Sequence, residues 1–342
     1  MANQRKLRPV LDGRWQLIAR NPDLRGMIDG DQEHRIGFEK GKHHEHNAPV
    51  DHHIFRDAEG KWQLWACVRS TAVGRILYRW EAENLTDSPW RDTREFIRAD
   101  RKAGECIDDW MGQEWLQSPY FVHAAGKYYM FYGGHRAAVD AAGNRVGPLA
   151  GARGHDQSLF QICLMTSEDG RKWVRHKNND GTSRLFMGPG QTRDPCVLKI
   201  NGLWHMYYAG YYDPDKPQEG AGFTVRTSED LINWSDWRLV HRDPQYGPGR
   251  TDTECPFVLF REGYYYLFRT VRYTNCLTYV FRSDDPFDFG VGDASAKLAG
   301  RLPCAAPEIY ALNGHEYVSS SHTPLFGEQL CRIKWVPDDG DQ

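Results

Sequence analysis

The stretch DPCVLKINGLWHMYYAG, from Asp194 to Gly210, is the most informative part of the chain for its fold. A short apolar run ends at Ile200, an Asn-Gly pair follows, and a second run rich in aromatic residues begins at Leu203. An apolar run, a turn that ends in glycine and a second run are together typical of a β-hairpin. The stretch therefore predicts two antiparallel strands joined by a tight turn.

Four other stretches repeat this pattern of apolar run, glycine turn and second run. They are VDHHIFRDAEGKWQLWACV from Val50, SPYFVHAAGKYYMFYGG from Ser118, CPFVLFREGYYYLFRT from Cys255 and APEIYALNGHEYVSSS from Ala306. In four of the five copies a proline lies seven residues before the turn glycine, whereas the copy from Val50 has no such proline and a turn one residue longer. We number the copies one to five in chain order and call them repeats.

Several repeats are followed by a second element, a short strand with a Ser-Glu/Asp-Asp turn and often a Trp-containing strand. Two hairpins per repeat make a four-stranded antiparallel blade, so five repeats predict an all-β, five-bladed β-propeller. A β-sandwich with accidental internal similarity is the alternative. We place the propeller at residues 49–342 as a single domain and treat residues 1–48 as an N-terminal segment, in which GRWQLIAR could add a strand that closes the ring.

Composition narrows the range of functions. The 342 residues carry a net charge of −3, which gives no basic field for nucleic acid or for an acidic membrane surface. No stretch approaches the roughly 18 consecutive apolar residues of a membrane span. No signal peptide is visible at the start of the chain, so we expect a cytoplasmic protein whose eight cysteines are reduced and mostly buried.

Acidic residues recur where the first strand of a predicted blade begins. Repeats one, three and four offer Asp51, Asp194 and Glu254 at this position, which we call the strand head. In a propeller the first strands line a central channel, so we expect these three carboxyl groups to converge on one pocket. Crowded acids have divergent pKa values, and one protonated acid beside one carboxylate is what glycoside hydrolysis requires. Single acids that cap a strand are the alternative interpretation.

Two of these strand heads also carry a family resemblance. TRDPCV and TECPFV resemble the Arg-Asp-Pro and Glu-Cys signatures of the invertase and levansucrase glycosidases of glycoside hydrolase families 32 and 68. The preceding SEDGRKW and SEDLINW stretches also agree with that family pattern. Those enzymes share a five-bladed propeller with family 43. The resemblance covers most of residues 48–336.

The resemblance implies roles for individual residues. Glu254 would be the general acid/base, Asp194 the carboxylate that stabilises the oxocarbenium-like transition state, and Arg193 a sugar ligand. Asp51 would be the nucleophile of a retaining enzyme or the general base of an inverting one, and we slightly favour retention. The first-blade motif departs from the invertase pattern, because NAPVDHHIF lacks its Asn-Asp-Pro-Asn-Gly run. Fructoside specificity is therefore less certain than the glycosidase class.

Further substrate contacts are predicted around the strand heads. We expect His52, Gln117 and Arg269 to contact substrate, and Trp110 and Trp115 to stack on sugar faces. Asp109 is the reserve nucleophile, and packing is the alternative role for the tryptophans. The histidine-rich GKHHEHNAPVDHH could bind a metal, but its spacings match no standard zinc pattern, so we predict no metal site there.

The sequence thus predicts a glycosidase that cleaves small furanosides or short oligosaccharides of the fructoside or arabinoside type. A transglycosylase using the same acids and a non-catalytic carbohydrate-binding propeller are the alternatives. The expected partner is a small carbohydrate, with no nucleic acid or membrane, and the oligomeric state stays open. The chemistry requires no cofactor, although the resemblance to family 43 allows a structural calcium ion on the propeller axis, with His322 a neighbour of such a site.

Overall fold

The structure, a computed structural model, is all-β. It describes residues 5–28, 48–105, 114–136, 146–147, 157–213, 215–321 and 327–338. These residues contain no α-helix, and short 3-10 turns are the only helical elements among them. The predicted all-β class is therefore confirmed. The chain divides into two compact units: an N-terminal unit of residues 18–195 and 325–328, and a C-terminal unit of residues 1–17, 196–324 and 329–342.

Repeats one and two form the sheet of the N-terminal unit. Antiparallel ladders follow chain order in each repeat, and the two short strands β10 and β11 both pair with β9. The strands are β3 (Pro49–Arg56), β4 (Trp62–Thr71), β5 (Gly74–Ala82), β6 (Arg91–Ile97), β7 (Glu114–Ala124), β8 (Lys127–His135), β9 (Phe160–Ser167), β10 (Val174–Arg175) and β11 (Arg184–Met187).

One parallel contact between β5 and β7 joins these two repeats into a nine-stranded sheet. It pairs Gly74 with Glu114 and Arg75 with Trp115. A Cβ at Gly74 would lie 2.2 Å from the carbonyl oxygen of Glu114, and its φ is +120°, so only glycine allows the backbones to approach this closely. The repeat pattern alone did not predict this connection.

Repeats three and four form four-stranded antiparallel sheets, ordered β12-β13-β14-β15 and β16-β17-β18-β19, and repeat five lies in a five-stranded sheet that includes two N-terminal strands. The strands are β12 (Arg193–Ile200), β13 (Leu203–Tyr211), β14 (Gly222–Ser228), β15 (Arg238–His241), β16 (Glu254–Arg261), β17 (Tyr264–Thr270), β18 (Thr278–Ser283), β19 (Leu298–Leu302), β20 (Ile309–Leu312), β21 (His315–Ser321) and β22 (Glu328–Pro337). The two N-terminal strands of the five-stranded sheet are β1 (Leu7–Leu11), in the order β20-β21-β22-β1, and β2 (Gln16–Ala19) in GRWQLIAR, and both pair with β22.

The hairpin turns match the sequence prediction. In repeats two to five both turn residues have positive φ, between 48° and 87°, as a type I′ turn requires. The turn pairs are Ala125-Gly126, Asn201-Gly202, Glu262-Gly263 and Asn313-Gly314. These turns twist with the strands, so they fix the register of each hairpin and hence the place of its strand head.

The Ser-x-Asp motifs that contribute to the family resemblance are turns. The Asp169 carboxylate accepts the backbone N–H of Lys172 at 2.9 Å, and Asp230 accepts that of Asn233 at 2.8 Å. The backbone N–H of Asn233 is the main cause that lowers the pKa of Asp230 to about 2. These aspartates close the turn after a third strand, so their role in the motif is structural.

Candidate active site

The five strand heads share one unusual backbone conformation. One non-glycine residue in each head has a φ between 49° and 57°, in the left-handed region, which costs on the order of 1–3 kcal/mol. These residues are Asp51, Ser118, Asp194, Cys255 and Ala306. In repeats one, two and four the strand ladder shifts register at this point, as in a β-bulge. The predicted alignment of the repeats is therefore correct at single-residue resolution.

Two of the predicted acids lie together in the N-terminal unit. A carboxylate oxygen of Asp51 and one of Asp194 are within 4.8 Å of each other. Asp194 is buried and Asp51 is half-buried. Both residues have the left-handed conformation of their strand heads, so equivalent positions of repeats one and three bring two carboxylates together.

Asp194 is held by two polar neighbours from the same unit. The Ser118 hydroxyl donates to Oδ1 at 2.7 Å, and Nε of Arg193 lies 3.4 Å from Oδ2. Ser118 is itself the strand head of repeat two, so heads of adjacent repeats contact each other. The sequence pattern did not identify Ser118 as a partner of Asp194. The Arg193 side chain is also buried. Its predicted contact with a sugar stays a prediction.

Glu254 begins β16 in the C-terminal unit. It is half-buried and pairs with Thr270 of β17, one residue before the left-handed position. The left-handed residue here is Cys255, a half-buried free cysteine whose thiol contacts the hydroxyl of Tyr273. The acid of repeat four thus precedes the position that carries the acid in repeats one and three. Its role as general acid/base stays a prediction.

His52 does not present its ring to a substrate pocket, contrary to the prediction. Its Nδ1 lies 2.9 Å from Oε2 of Glu328, and both side chains are fully buried. The neighbouring His53 is also buried, with its ring centroid 4.1 Å from that of Tyr120. The bulge at Asp51 breaks the alternation on which the prediction relied. Nothing in the sequence around Glu328 identified it as the partner.

Trp115 is not available for stacking on a sugar, which corrects a second prediction. The Arg75 guanidinium lies 3.9 Å from its ring centroid, and the His135 ring stacks on it at 4.5 Å. Two groups this close must occupy opposite faces, so both faces are covered. Gln117 is buried as well, and its Oε1 accepts from Arg75 at 2.9 Å and from Trp115 at 2.8 Å. Its predicted contact with substrate stays a prediction.

Arg269 is a structural residue rather than a substrate contact. Its side chain is fully buried, and it donates to the backbone carbonyls of Asp243, Gly247 and Asp252 at 2.7–3.0 Å. Nη1 also lies 3.2 Å from Nε2 of His241. The sequence pattern predicted Arg269 to follow the second strand of repeat four, whereas it lies within that strand, β17.

Other predictions fall outside the described residues or concern the cysteines. Trp110, Asp109, His322 and the histidines before residue 48 lie outside the described residues.

The seven described cysteines are all free and five of them are buried, as expected. Burial raises the pKa of Cys304 to about 12. Within the described ranges, no helix has the length and apolar character needed to cross a membrane.

Comparison with known proteins shows a likeness of fold to solved glycoside hydrolase structures. No family model matches the sequence, and no curated protein matches it by sequence. Solved structures do match. A Bombyx mori GH32 beta-fructofuranosidase has 16% identity and a TM-score of 0.53, with 85% of this chain and 61% of that chain covered. This chain thus spans about three fifths of the Bombyx mori enzyme.

Two further structures match over most of both chains. A thermostable family-43 glycoside hydrolase has 18% identity and a TM-score of 0.56, covering 86% of this chain and 91% of its own. An exo-1,5-alpha-L-arabinanase from a bovine ruminal metagenomic library has 14% identity and a TM-score of 0.53, covering 83% and 92%. These structures are β-propellers. At such identities the likeness shows the fold, and it agrees with the resemblance to families 32 and 43 that the sequence predicted.

Proposed function

We propose that this protein is a glycoside hydrolase that cleaves small furanosides or short oligosaccharides, of the fructoside or arabinoside type, on a five-bladed propeller built from the five repeats. The observation that carries the proposal is the pair Asp51 and Asp194, two carboxylates from different strand heads within 4.8 Å of each other. The names of the similar structures, a beta-fructofuranosidase and an arabinanase among them, support the substrate class.

In the proposed mechanism three carboxyl groups divide the work. Glu254 protonates the leaving glycosidic oxygen and afterwards deprotonates the attacking water. Asp51 attacks the anomeric carbon, and Asp194 stabilises the oxocarbenium-like transition state. The Ser118 hydrogen bond and the nearby Arg193 fix the orientation of Asp194, which supports a role in electrostatic stabilisation rather than in attack.

We favour a retaining outcome, in which Asp51 forms a covalent glycosyl intermediate. Retaining enzymes place the acid/base and nucleophile carboxyls about 5–5.5 Å apart, and inverting ones about 6.5–9.5 Å. General acid–base and nucleophilic chemistry by carboxylates needs no cofactor, and the proposed partner is a small carbohydrate.

A panel of aryl glycosides tests this function. Wild-type protein is incubated with aryl β-D-fructofuranoside, α-L-arabinofuranoside, β-D-xyloside and β-D-galactofuranoside. We expect release from at least one, and a loss of at least about 10³-fold in kcat/KM for Asp51→Asn and Glu254→Gln, since each removes a group that acts in the transition state. Proton NMR of the first-formed anomer distinguishes retention from inversion.

Glu262→Gln is the matched control for Glu254→Gln. Glu262 is exposed in the turn at the opposite end of the same hairpin, so its loss should leave the rate unchanged. Activity retained in the Asp51 and Glu254 variants, or no release from any glycoside, would overturn the proposal. Product formed only with an added acceptor sugar would indicate transglycosylation instead.

A further inference from the structure

Arg75 lies at the same end of repeat one as the strand head of Asp51. Pro49 at the start of β3 pairs with Val68 of β4, and the turn that follows β4 leads directly to Gly74 and Arg75 at the start of β5. The parallel contact then places Arg75 opposite Trp115, at the start of β7. Arg75 is half-buried at this site.

A short chain of contacts links Arg75 to Asp194. Nη1 of Arg75 donates to Oε1 of Gln117 at 2.9 Å, and the guanidinium lies over the Trp115 ring, 3.9 Å from its centroid. The residue after Gln117 is Ser118, whose hydroxyl donates to Asp194. The arginine is therefore two side chains away from one of the proposed catalytic carboxylates, within a single compact unit.

The charge of Arg75 has no counter-charge among the described residues. No carboxylate of these residues forms an ion pair with it, and its buried Nε has no hydrogen-bond partner. Placing a guanidinium partly out of water without an anion is unfavourable. The buried Nε2 of Gln117, next to the guanidinium, also lacks a partner. Nε of Arg75 and Nε2 of Gln117 are therefore two neighbouring donors without an acceptor among the described residues.

Two other arginines of the same unit show what this open edge binds. Arg98 uses Nε and Nη2 together to bind the Glu114 carboxylate, and Arg175 uses the same two nitrogens for Glu105, at 2.9 and 2.8 Å. This Nε/Nη2 edge is the planar fork that matches a carboxylate or an oxyanion. In Arg75 the opposite nitrogen, Nη1, contacts Gln117, and among the described residues nothing pairs with the fork.

We propose that Arg75, with Gln117 beside it, binds an anionic substituent of the sugar substrate, a carboxylate or a sulfate ester. The inference rests on the proposed function, because it assumes that the sugar lies at the strand heads of Asp51 and Asp194. The substrate class is then an acidic glycoside, such as a uronic acid residue or a sulfated sugar. The Trp115 ring beneath the guanidinium holds the fork in place, which reduces the entropy lost on binding.

Binding of matched acidic and neutral sugars tests the inference without requiring catalysis. Calorimetry at low ionic strength compares D-glucuronate with D-xylose, which differ by the carboxylate, and D-glucose 6-sulfate with D-glucose. We expect the wild type to bind an acidic member at least about tenfold more tightly than its neutral counterpart. Arg75→Gln should abolish this preference, and Arg75→Lys, which keeps the charge but loses the fork, should retain part of it.

Arg56→Gln is the matched control. Arg56 also lies over a tryptophan, 5.5 Å from the Trp62 ring centroid, but at the other end of β3. Its loss removes the same charge and should leave the preference unchanged. If the wild type binds acidic and neutral sugars equally, or binds neither, the inference is overturned, whether or not the Arg75 variants fold.

Hydrolysis separates this inference from the proposed function. Aryl β-D-glucuronide and β-D-xyloside are compared as substrates for the wild type and Arg75→Gln. Cleavage of neutral glycosides with a ratio that Arg75→Gln leaves unchanged would overturn the anion site and leave the glycosidase. Arg75-dependent binding of acidic sugars, without cleavage of any glycoside, would overturn the glycosidase and leave an anion-binding site.

Discussion

Arg269 and Arg75 are two arginines on strands of the same repeated hairpin architecture, yet their surroundings differ completely. Arg269 is fully buried, and its nitrogens donate to three backbone carbonyls and His241. Arg75 is half-buried, with Nη1 bonded to one amide and no carboxylate partner among the described residues. The hydrogen bonds of Arg269 to the surrounding loop indicate a structural residue. The Nε/Nη2 edge of Arg75 has no partner among the described residues and lies beside the candidate active site, which favours a ligand-binding role.

The Arg269 guanidinium stays charged although it is buried. Burial lowers its pKa to about 10, which still leaves it protonated at neutral pH, because Asp243 and Asp252 lie nearby. The sequence pattern predicted a ligand role for Arg269 and none for Arg75. Three measurements test the difference between the two arginines.

The largest expected effect follows from Arg269→Gln. The substitution leaves buried carbonyls of Asp243, Gly247 and Asp252 without their donors, so we expect a loss of roughly 3–5 kcal/mol in the free energy of unfolding. Urea unfolding measures it. Arg301→Gln, at an exposed arginine on β19, should change stability by less than about 0.5 kcal/mol. Equal unfolding midpoints for the two variants would contradict the structural role.

A smaller effect concerns His241, the side-chain partner of Arg269. Burial is the main cause that lowers its pKa to about 3, and its Nδ1 is bonded to the Phe289 carbonyl, so Nε2 must accept from Arg269 and the ring is neutral. Below the unfolded value of about 6.5, the unfolded state binds the extra proton. The contribution of neutral His241 to the free energy of unfolding is therefore complete above pH 6.5 and is lost as the pH falls towards 3.

We expect this loss to be about 1 kcal/mol between pH 6.5 and pH 5.5. His241→Gln keeps a neutral hydrogen-bonding side chain, so unfolding of this variant should show a weaker dependence on pH in that window. The exposed His315 provides the control, since His315→Gln should leave the wild-type dependence intact. A His241 variant with the wild-type pH slope would show that the histidine does not stay neutral in the folded protein.

A further effect, smaller than that of Arg269→Gln, is that of Arg75→Gln on stability. The variant loses the contact with Trp115 and one hydrogen bond to an amide, which together amount to about 1–2 kcal/mol. A thermal melt should show a shift of a few degrees at most, close to that of Arg56→Gln. A loss as large as that of Arg269→Gln would make Arg75 a structural residue and remove the contrast.

The hairpins could be predicted because their determinants are local. Each of the last four turns needs two positive-φ residues, and Asn201-Gly202 and Asn313-Gly314 supply them with the residue types that adopt this conformation most readily. The recurring spacing of proline and glycine then fixed the strand heads, including the one-residue offset of Glu254 from Cys255. The parallel contact at Gly74 had no repeat signal, because it depends on two backbones that are distant in sequence.

Side-chain directions near the heads could not be predicted for a physical reason. A bulge shifts the two-residue alternation of a strand, so a residue that would face outward in a regular strand faces a neighbour instead. His52 therefore meets Glu328, and Trp115 lies between Arg75 and His135. The proximity of Asp51 and Asp194 was predicted, because that prediction rested on equivalence between repeats rather than on alternation.

The left-handed residue of each strand head has a consequence for how this scaffold can change. Aspartate, serine, cysteine and alanine all occupy the position with nearly the same φ, so the backbone there does not depend on the side chain it carries. Branching at Cβ is disfavoured in this conformation, but small and acidic residues fit. A single substitution at one of these five equivalent positions can therefore introduce a new functional group without changing the backbone. Ala306 is the only one of the five residues whose side chain carries no functional group.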